Sequence, residues 1–75
     1  MQNGAQINVK DRFDWTLLMM ACHFKVKLET IKFMVENGAD IYAVDLHGRN
    51  ALYYALNSHD DHIINYLSDL ARNSL

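Results

Sequence analysis

The chain has a single cysteine, Cys22, among its 75 residues, so no disulfide can form within it. A reducing, intracellular and most simply cytoplasmic setting is compatible with that. Long hydrophobic runs are missing: the longest, such as Leu17 to Cys22, fall far short of the roughly 20 residues that span a bilayer. No basic segment leads into an apolar one at the N-terminus, so neither a signal peptide nor a membrane anchor is expected, and no membrane partner. Positive charge is also scarce. Seven Lys and Arg stand against nine Asp and Glu, a formal charge of −2. The counterion-releasing surface of a nucleic-acid binder is therefore not expected. The sequence shows no paired carboxylates in an apolar setting, no Gly-rich phosphate loop and no cysteine cluster. It points to neither an enzyme nor a cofactor.

What is there belongs to a folded chain. Hydrophobic residues make up 51% and charged residues 21%, far from the polar, highly charged signature of disorder. The length allows one small domain, whose core would supply only about 3 to 5 kcal/mol, so some support beyond a lone globule is expected.

That support is an internal repeat. Asn3-Gly4-Ala5-Gln6-Ile7-Asn8-Val9-Lys10-Asp11 returns 34 residues later as Asn37-Gly38-Ala39-Asp40-Ile41-Tyr42-Ala43-Val44-Asp45, and the same offset carries Thr16 to Asn50, Leu18 to Leu52 and Ala21 to Ala55. Between the repeated turns, Leu17, Leu18, Met20, Ala21 and Phe24 fall at helical spacing behind a capping Thr16, which predicts a helix to about Phe24. Leu28, Ile31, Met34 and Val35 form a second apolar stripe, ended by Asn37-Gly38. In the second copy Asn50 caps a helix to about Asn57, and Ser58 or Asp60 opens another carrying Ile63, Ile64, Leu67 and Leu70. Each helix is too short to be stable alone, so stability must come from stacked apolar faces.

These residues resemble the ankyrin repeat family. The family's Asp-x-x-Gly-x-Thr-Pro-Leu-His-x-Ala opening is matched in part by Asp11 to Ala21 and by Asp45 to Ala55. Its second helix and turn are matched more closely by Leu28 to Asp40. The resemblance covers nearly the whole chain and implies an all-α, helix-turn-helix solenoid with projecting turns or β-hairpins. On that reading residues 1–75 form a single domain: 2–10 are the tail of a preceding repeat, 11–44 repeat one and 45–75 a C-terminal repeat two. The copies are divergent. Neither contains proline, and the motif's His is Met19 in one and Tyr53 in the other, so the hydrogen bonds that His makes between repeats are expected to be lost. One extra residue between Phe24 and Lys27 gives the period of 34.

The resemblance implies a non-catalytic module that binds another protein through its turn tips and the concave face of its first helices. Carried over by position, the binding residues would be Arg12, Phe13, Trp15, His23 and Phe24 in repeat one, and Leu46, His47, Arg49, Asn57 and Ser58 in repeat two. Phe13 and Trp15 have two open placements: facing a partner, or folding back over the unaccompanied end of repeat one. Leu18, Ala21, Cys22, Ile31, Met34, Leu52, Ala55, Ile63, Ile64 and Leu67 read as core. Adjacent Cys22 and His23 point about 100° apart on a helix and cannot act together on one substrate. In Ser58-His59-Asp60-Asp61-His62 the two imidazoles are three apart, but the carboxylates sit where helix capping explains them, and no metal is assigned. An alternative function is self-association, a homodimer or contact with further repeats. Leu17, Met19, Met20, Phe24 and Phe33 at one end, and Tyr53, Tyr54 and Tyr66 at the other, would offer apolar faces with no neighbour.

Overall fold

The computed structural model describes residues 7–73. Within them lie four helices: α1 (Leu17–His23), α2 (Leu28–Glu36), α3 (Ala51–Ser58) and α4 (Asp61–Asn73). The starts of α1, α3 and α4 follow from side chains that satisfy the amides a helix leaves open at its first turn, while α2 begins after Lys27 without a side-chain cap. Thr16 Oγ1 accepts from the Met19 amide at 3.2 Å while the Thr16 amide donates to Met19 Sδ at 3.4 Å, a reciprocal box with a thioether in the place of the usual Glu or Gln. Asn50 Oδ1 accepts from the Tyr53 amide at 2.9 Å to start α3. At α4 the cap is Asp60, not Ser58: its Oδ1 accepts from the amides of His62 at 3.2 Å and Ile63 at 3.3 Å. Helix α2 ends at Asn37, and Gly38 (φ 98°) takes the backbone turn that sends the chain away.

Helix α1 lies against α3, α2 against α4, and each first helix against the second helix of its own repeat. The result is two helix pairs stacked side by side. Their seam holds Leu18, Met19, Cys22, Ile31, Ala51, Tyr54, Ala55, Ile63 and Leu67, all buried. Met34, Leu52 and Ile64, expected in the core, are half-buried at its margin. Two residues expected at open ends are instead interior. Met19 is buried because its sulfur turns back into the α1 cap, and Tyr54 because its hydroxyl reaches the Asp45 carboxylate under the preceding turn. Met19 thus keeps one hydrogen bond of its own, although within its repeat.

The turn between the helices of each pair uses a left-handed residue at the same offset, Lys25 (φ 59°) and His59 (φ 61°), where glycine would cost less. The extra residue of repeat one is absorbed just after it: Val26, half-buried against the core, donates its amide to the Ala21 carbonyl at 3.2 Å.

No strand is present among the described residues, so the projecting segments are closed turns and not β-hairpins. Each is shut by two main-chain hydrogen bonds: the Asp11 amide to the Trp15 carbonyl at 3.0 Å with the Asp14 amide to the Asp11 carbonyl at 2.9 Å, and the Asp45 amide to the Arg49 carbonyl with the Gly48 amide to the Asp45 carbonyl, both at 3.0 Å. Successive turns are tied together. The Leu46 amide donates to the Phe13 carbonyl at 3.2 Å, and Lys10 Nζ to the Val44 carbonyl at 2.9 Å. Asn8 clamps the preceding connection to its successor: Nδ2 donates to the Gly38 carbonyl at 2.9 Å and Oδ1 accepts from the Asp40 amide at 2.8 Å. Residues 2–6 of the expected earlier tail lie outside the described residues.

Candidate functional site

Stacking the two turns leaves a groove of about 510 Å³ between them, floored by the first helices. The two turns that form it are each organised by an aspartate, of which Asp11 lines the groove and Asp45 lies buried behind it. Asp11 Oδ1 accepts from the amides of Phe13 and Trp15, both at 2.9 Å; Asp45 Oδ1 accepts from those of His47 at 2.8 Å and Arg49 at 3.0 Å. These contacts fix the backbone of each turn through its repeated Asp. Asp14 (φ 62°) and Gly48 (φ 77°) supply the left-handed residue that each turn needs.

Asp45 differs from Asp11 in being buried and in receiving the Tyr54 hydroxyl on Oδ2. Burial raises its pKa, but the Tyr54 hydroxyl, the two turn amides and the charge of His47 outweigh it and hold the carboxyl at about 2. The Tyr54 hydroxyl is pushed up by its burial and by the bond to Asp45. Arg49 is held further toward its charged form, chiefly by a hydrogen bond with that same hydroxyl.

The groove's apolar lining comes from Phe13, Trp15, Met20, Phe24, Leu46 and Tyr54. Trp15 is half-buried, its ring centroid 4.7 Å from that of Tyr54 and 5.5 Å from that of His23, which in turn meets Phe24 edge-on at 4.9 Å. Trp15 therefore bridges the two repeats. Phe13 and Phe24 are 56% and 70% exposed. Two guanidiniums lie over rings, Arg12 at 5.5 Å from the Phe13 centroid and Arg49 at 4.9 Å from that of Tyr53.

Of the ten residues expected to bind a partner, Phe13, Trp15, Phe24, Leu46, His47 and Arg49 line this groove. Arg12 and His23 adjoin it through Phe13 and Trp15. Asn57 and Ser58 do not line it; Asn57 is exposed near the end of α3, and the half-buried Ser58 donates its hydroxyl to the Ala55 carbonyl at 3.0 Å. Asp11, Met20 and Tyr54 line it as well, outside the expected set. The signal for the last two is present in the repeat: Met20 and Tyr54 occupy the same position 34 residues apart, one helical turn after the cap.

The family comparison agrees with this architecture. A model described as ankyrin repeats, in three copies, matches residues 1–74. The chain belongs to the ankyrin repeat family. No curated protein gives a significant match. Ankyrin repeats are generally protein–protein interaction modules and typically non-enzymatic. Among the described residues of this ankyrin domain no helix is long and apolar enough to cross a membrane, and no three His, Cys, Asp or Glu side chains are grouped to hold a metal ion. Cys22 is buried, and that burial, with the charge of Asp60 beside it, pushes its thiol up to about 12, so it stays protonated and unreactive at neutral pH.

Proposed function

We propose that this ankyrin domain is a non-catalytic binding module that engages a partner protein through the groove between its turns, with Phe13, Leu46 and Arg49 making the central contacts. The reading is carried by exposed apolar side chains gathered around a concavity whose backbone is fixed. A preorganised groove of this size forfeits little conformational entropy on binding, and Trp, Tyr and Arg are the residue types enriched where binding energy concentrates.

The test uses a partner captured from the native host's lysate and then titrated in purified form. Phe13→Ala is expected to weaken binding by 1 kcal/mol or more, about fivefold, while Phe33→Ala, an exposed phenylalanine on α2, leaves it unchanged. A partner sensitive to Phe33→Ala and indifferent to Phe13→Ala would move the binding face to α2. Trp15→Ala is a poorer probe, because removing a ring stacked on Tyr54 also lowers stability.

A second reading, self-association through the ends of the stack, is favoured by the exposure of Leu17, Phe33 and Leu56. Sedimentation over a range of concentrations is expected to show a rising average mass on that reading; a constant monomer mass removes it.

A further inference from the structure

Resting on the binding-module reading, we propose that the groove takes an arginine side chain of the partner protein, its guanidinium on Asp11 Oδ2 and against the aromatic lining. The two turns, compared position by position, lead there. In repeat two the carboxylate is answered within the chain. Asp45 Oδ1 accepts the two turn amides and Oδ2 accepts the Tyr54 hydroxyl; that hydroxyl in turn holds the Arg49 guanidinium, which lies 4.9 Å from the centroid of the Tyr53 ring. Carboxylate, hydroxyl, guanidinium and ring form one set.

In repeat one the set is incomplete. Asp11 Oδ1 accepts its own two turn amides, but Oδ2 has no hydrogen bond or ion pair among the described residues. The residues 34 places before Tyr54 and Arg49 are Met20 and Trp15. Neither carries a cation, and a thioether has no proton to donate. Arg12, next in sequence, lies over the Phe13 ring at 5.5 Å and makes no ion pair with Asp11. The turn has kept its carboxylate and lost the guanidinium that goes with it. Where that guanidinium would be, Asp11, Trp15, Met20 and Phe24 line a space of about 510 Å³, which admits a long side chain. Aromatic rings favour arginine over lysine there, because a guanidinium is planar and more weakly hydrated than an ammonium. The surrounding charge does not oppose it: Asp11, Asp14 and Asp45 outnumber Arg12 and Arg49 at the two turns, in line with the formal charge of −2. Arg49, the guanidinium in the lining, is matched by Asp45 through the Tyr54 hydroxyl.

The experiment selects binders to the whole chain from a displayed library of random short peptides and remakes the enriched sequences without tryptophan. Trp15 is the only tryptophan of the chain, so its fluorescence reports occupation of the groove. Expected are sequences that share an arginine and shift the Trp15 emission. Replacing that arginine by citrulline, which keeps the shape and loses the charge, should weaken binding about tenfold, and replacing it by lysine about threefold. Asp11→Asn keeps an oxygen for the turn amides and removes the charge at Oδ2; it should weaken binding about five- to tenfold. Asp14→Asn removes the same charge from the same turn but outside the groove lining, at a left-handed residue that asparagine also tolerates, and should change binding less than about twofold. Far-ultraviolet circular dichroism establishes that both variants are folded; should Asp11→Asn not be, the citrulline peptide decides.

Enriched peptides without arginine that still shift Trp15, or citrulline peptides that bind undiminished, would overturn the arginine assignment while leaving the binding groove standing. Lysine peptides that bind as tightly would show that the rings add nothing and would overturn the choice of a guanidinium. Equal losses in Asp11→Asn and Asp14→Asn would reduce the effect to net charge and defeat the site at Oδ2. A library that yields no peptide moving the Trp15 signal would remove the groove reading itself, and the proposal with it.

Discussion

The two repeats share a backbone plan yet expose opposite sides. Leu17 is 49% exposed, while Ala51, its counterpart 34 residues on, is 2% exposed; Cys22 is fully buried, while its counterpart Leu56 is 51% exposed. Nothing in the local sequence of α1 and α3 explains this, since both are short apolar helices with a side-chain cap. What differs is the neighbour. Leu17 faces away from repeat two and Ala51 faces repeat one; Cys22 faces repeat two and Leu56 faces away from repeat one. The same logic separates the second helices, where Thr30 is exposed and Ile63 is fully buried. In a stack, burial belongs to the interface and not to the residue type, so an equivalent position is worth different amounts in the two copies.

The largest effect is expected at that interface. Ile63→Ala opens a cavity between the pairs and should cost about 2 to 4 kcal/mol, comparable to the whole stability of so small a core. Thr30→Ala, on the second helix of repeat one, should stay within about 0.5 kcal/mol. Urea unfolding of the two variants measures the difference, and equal losses would mean that the helix pairs do not depend on their shared face.

A smaller effect separates the turns. Asp11 and Asp45 shape their turns through the same amides, but only Asp45 has a tyrosine hydroxyl, because repeat one has Met20 where repeat two has Tyr54. Tyr54→Phe should cost about 1.5 to 3 kcal/mol, the usual range for a hydrogen bond to a charged group. The cost should depend on pH. The Asp45 carboxyl lies at about 2 in the folded chain against an ordinary 3.8, so its stabilisation is complete above about pH 4 and disappears as the pH falls toward 2. Thermal unfolding of wild type and Tyr54→Phe across that window should converge at the acid end. Curves that stay parallel to pH 2 would show that Asp45 contributes no more than Asp11 does.

Much of this architecture is legible in the residues alone. The 34-residue offset yields the helix pairs, Thr16 and Asn50 read as caps, and Asp11 and Asp45 stand at the head of each turn because short polar side chains bond their own backbone two residues on. Six of the ten residues carried over by position line the groove. The departures have one origin, the reach of side chains beyond their immediate neighbours. Met19 and Tyr54 read as loose ends because their sequence environment is apolar and unpaired, whereas a thioether can accept a hydrogen bond within its own cap and a tyrosine can reach a turn that lies nine residues earlier. Ser58 reads as available because helix ends are exposed, yet its hydroxyl bonds back into α3. Asn8 and Lys10 carry no local signal at all: their bonds to Gly38, Asp40 and Val44 cross some thirty residues of chain, and no local pattern encodes such a tie.

The sequence by itself determined the repeat, its period, the short helices and the positions of the turns, because capping, helical spacing and turn chemistry act within a few residues. The tertiary structure decided which of two equivalent residues is buried, that the rings of Trp15 and Tyr54 meet across the repeats, and that a groove opens between the turns. Those outcomes depend on what lies across the stack, and one copy of the repeat cannot specify its own neighbour.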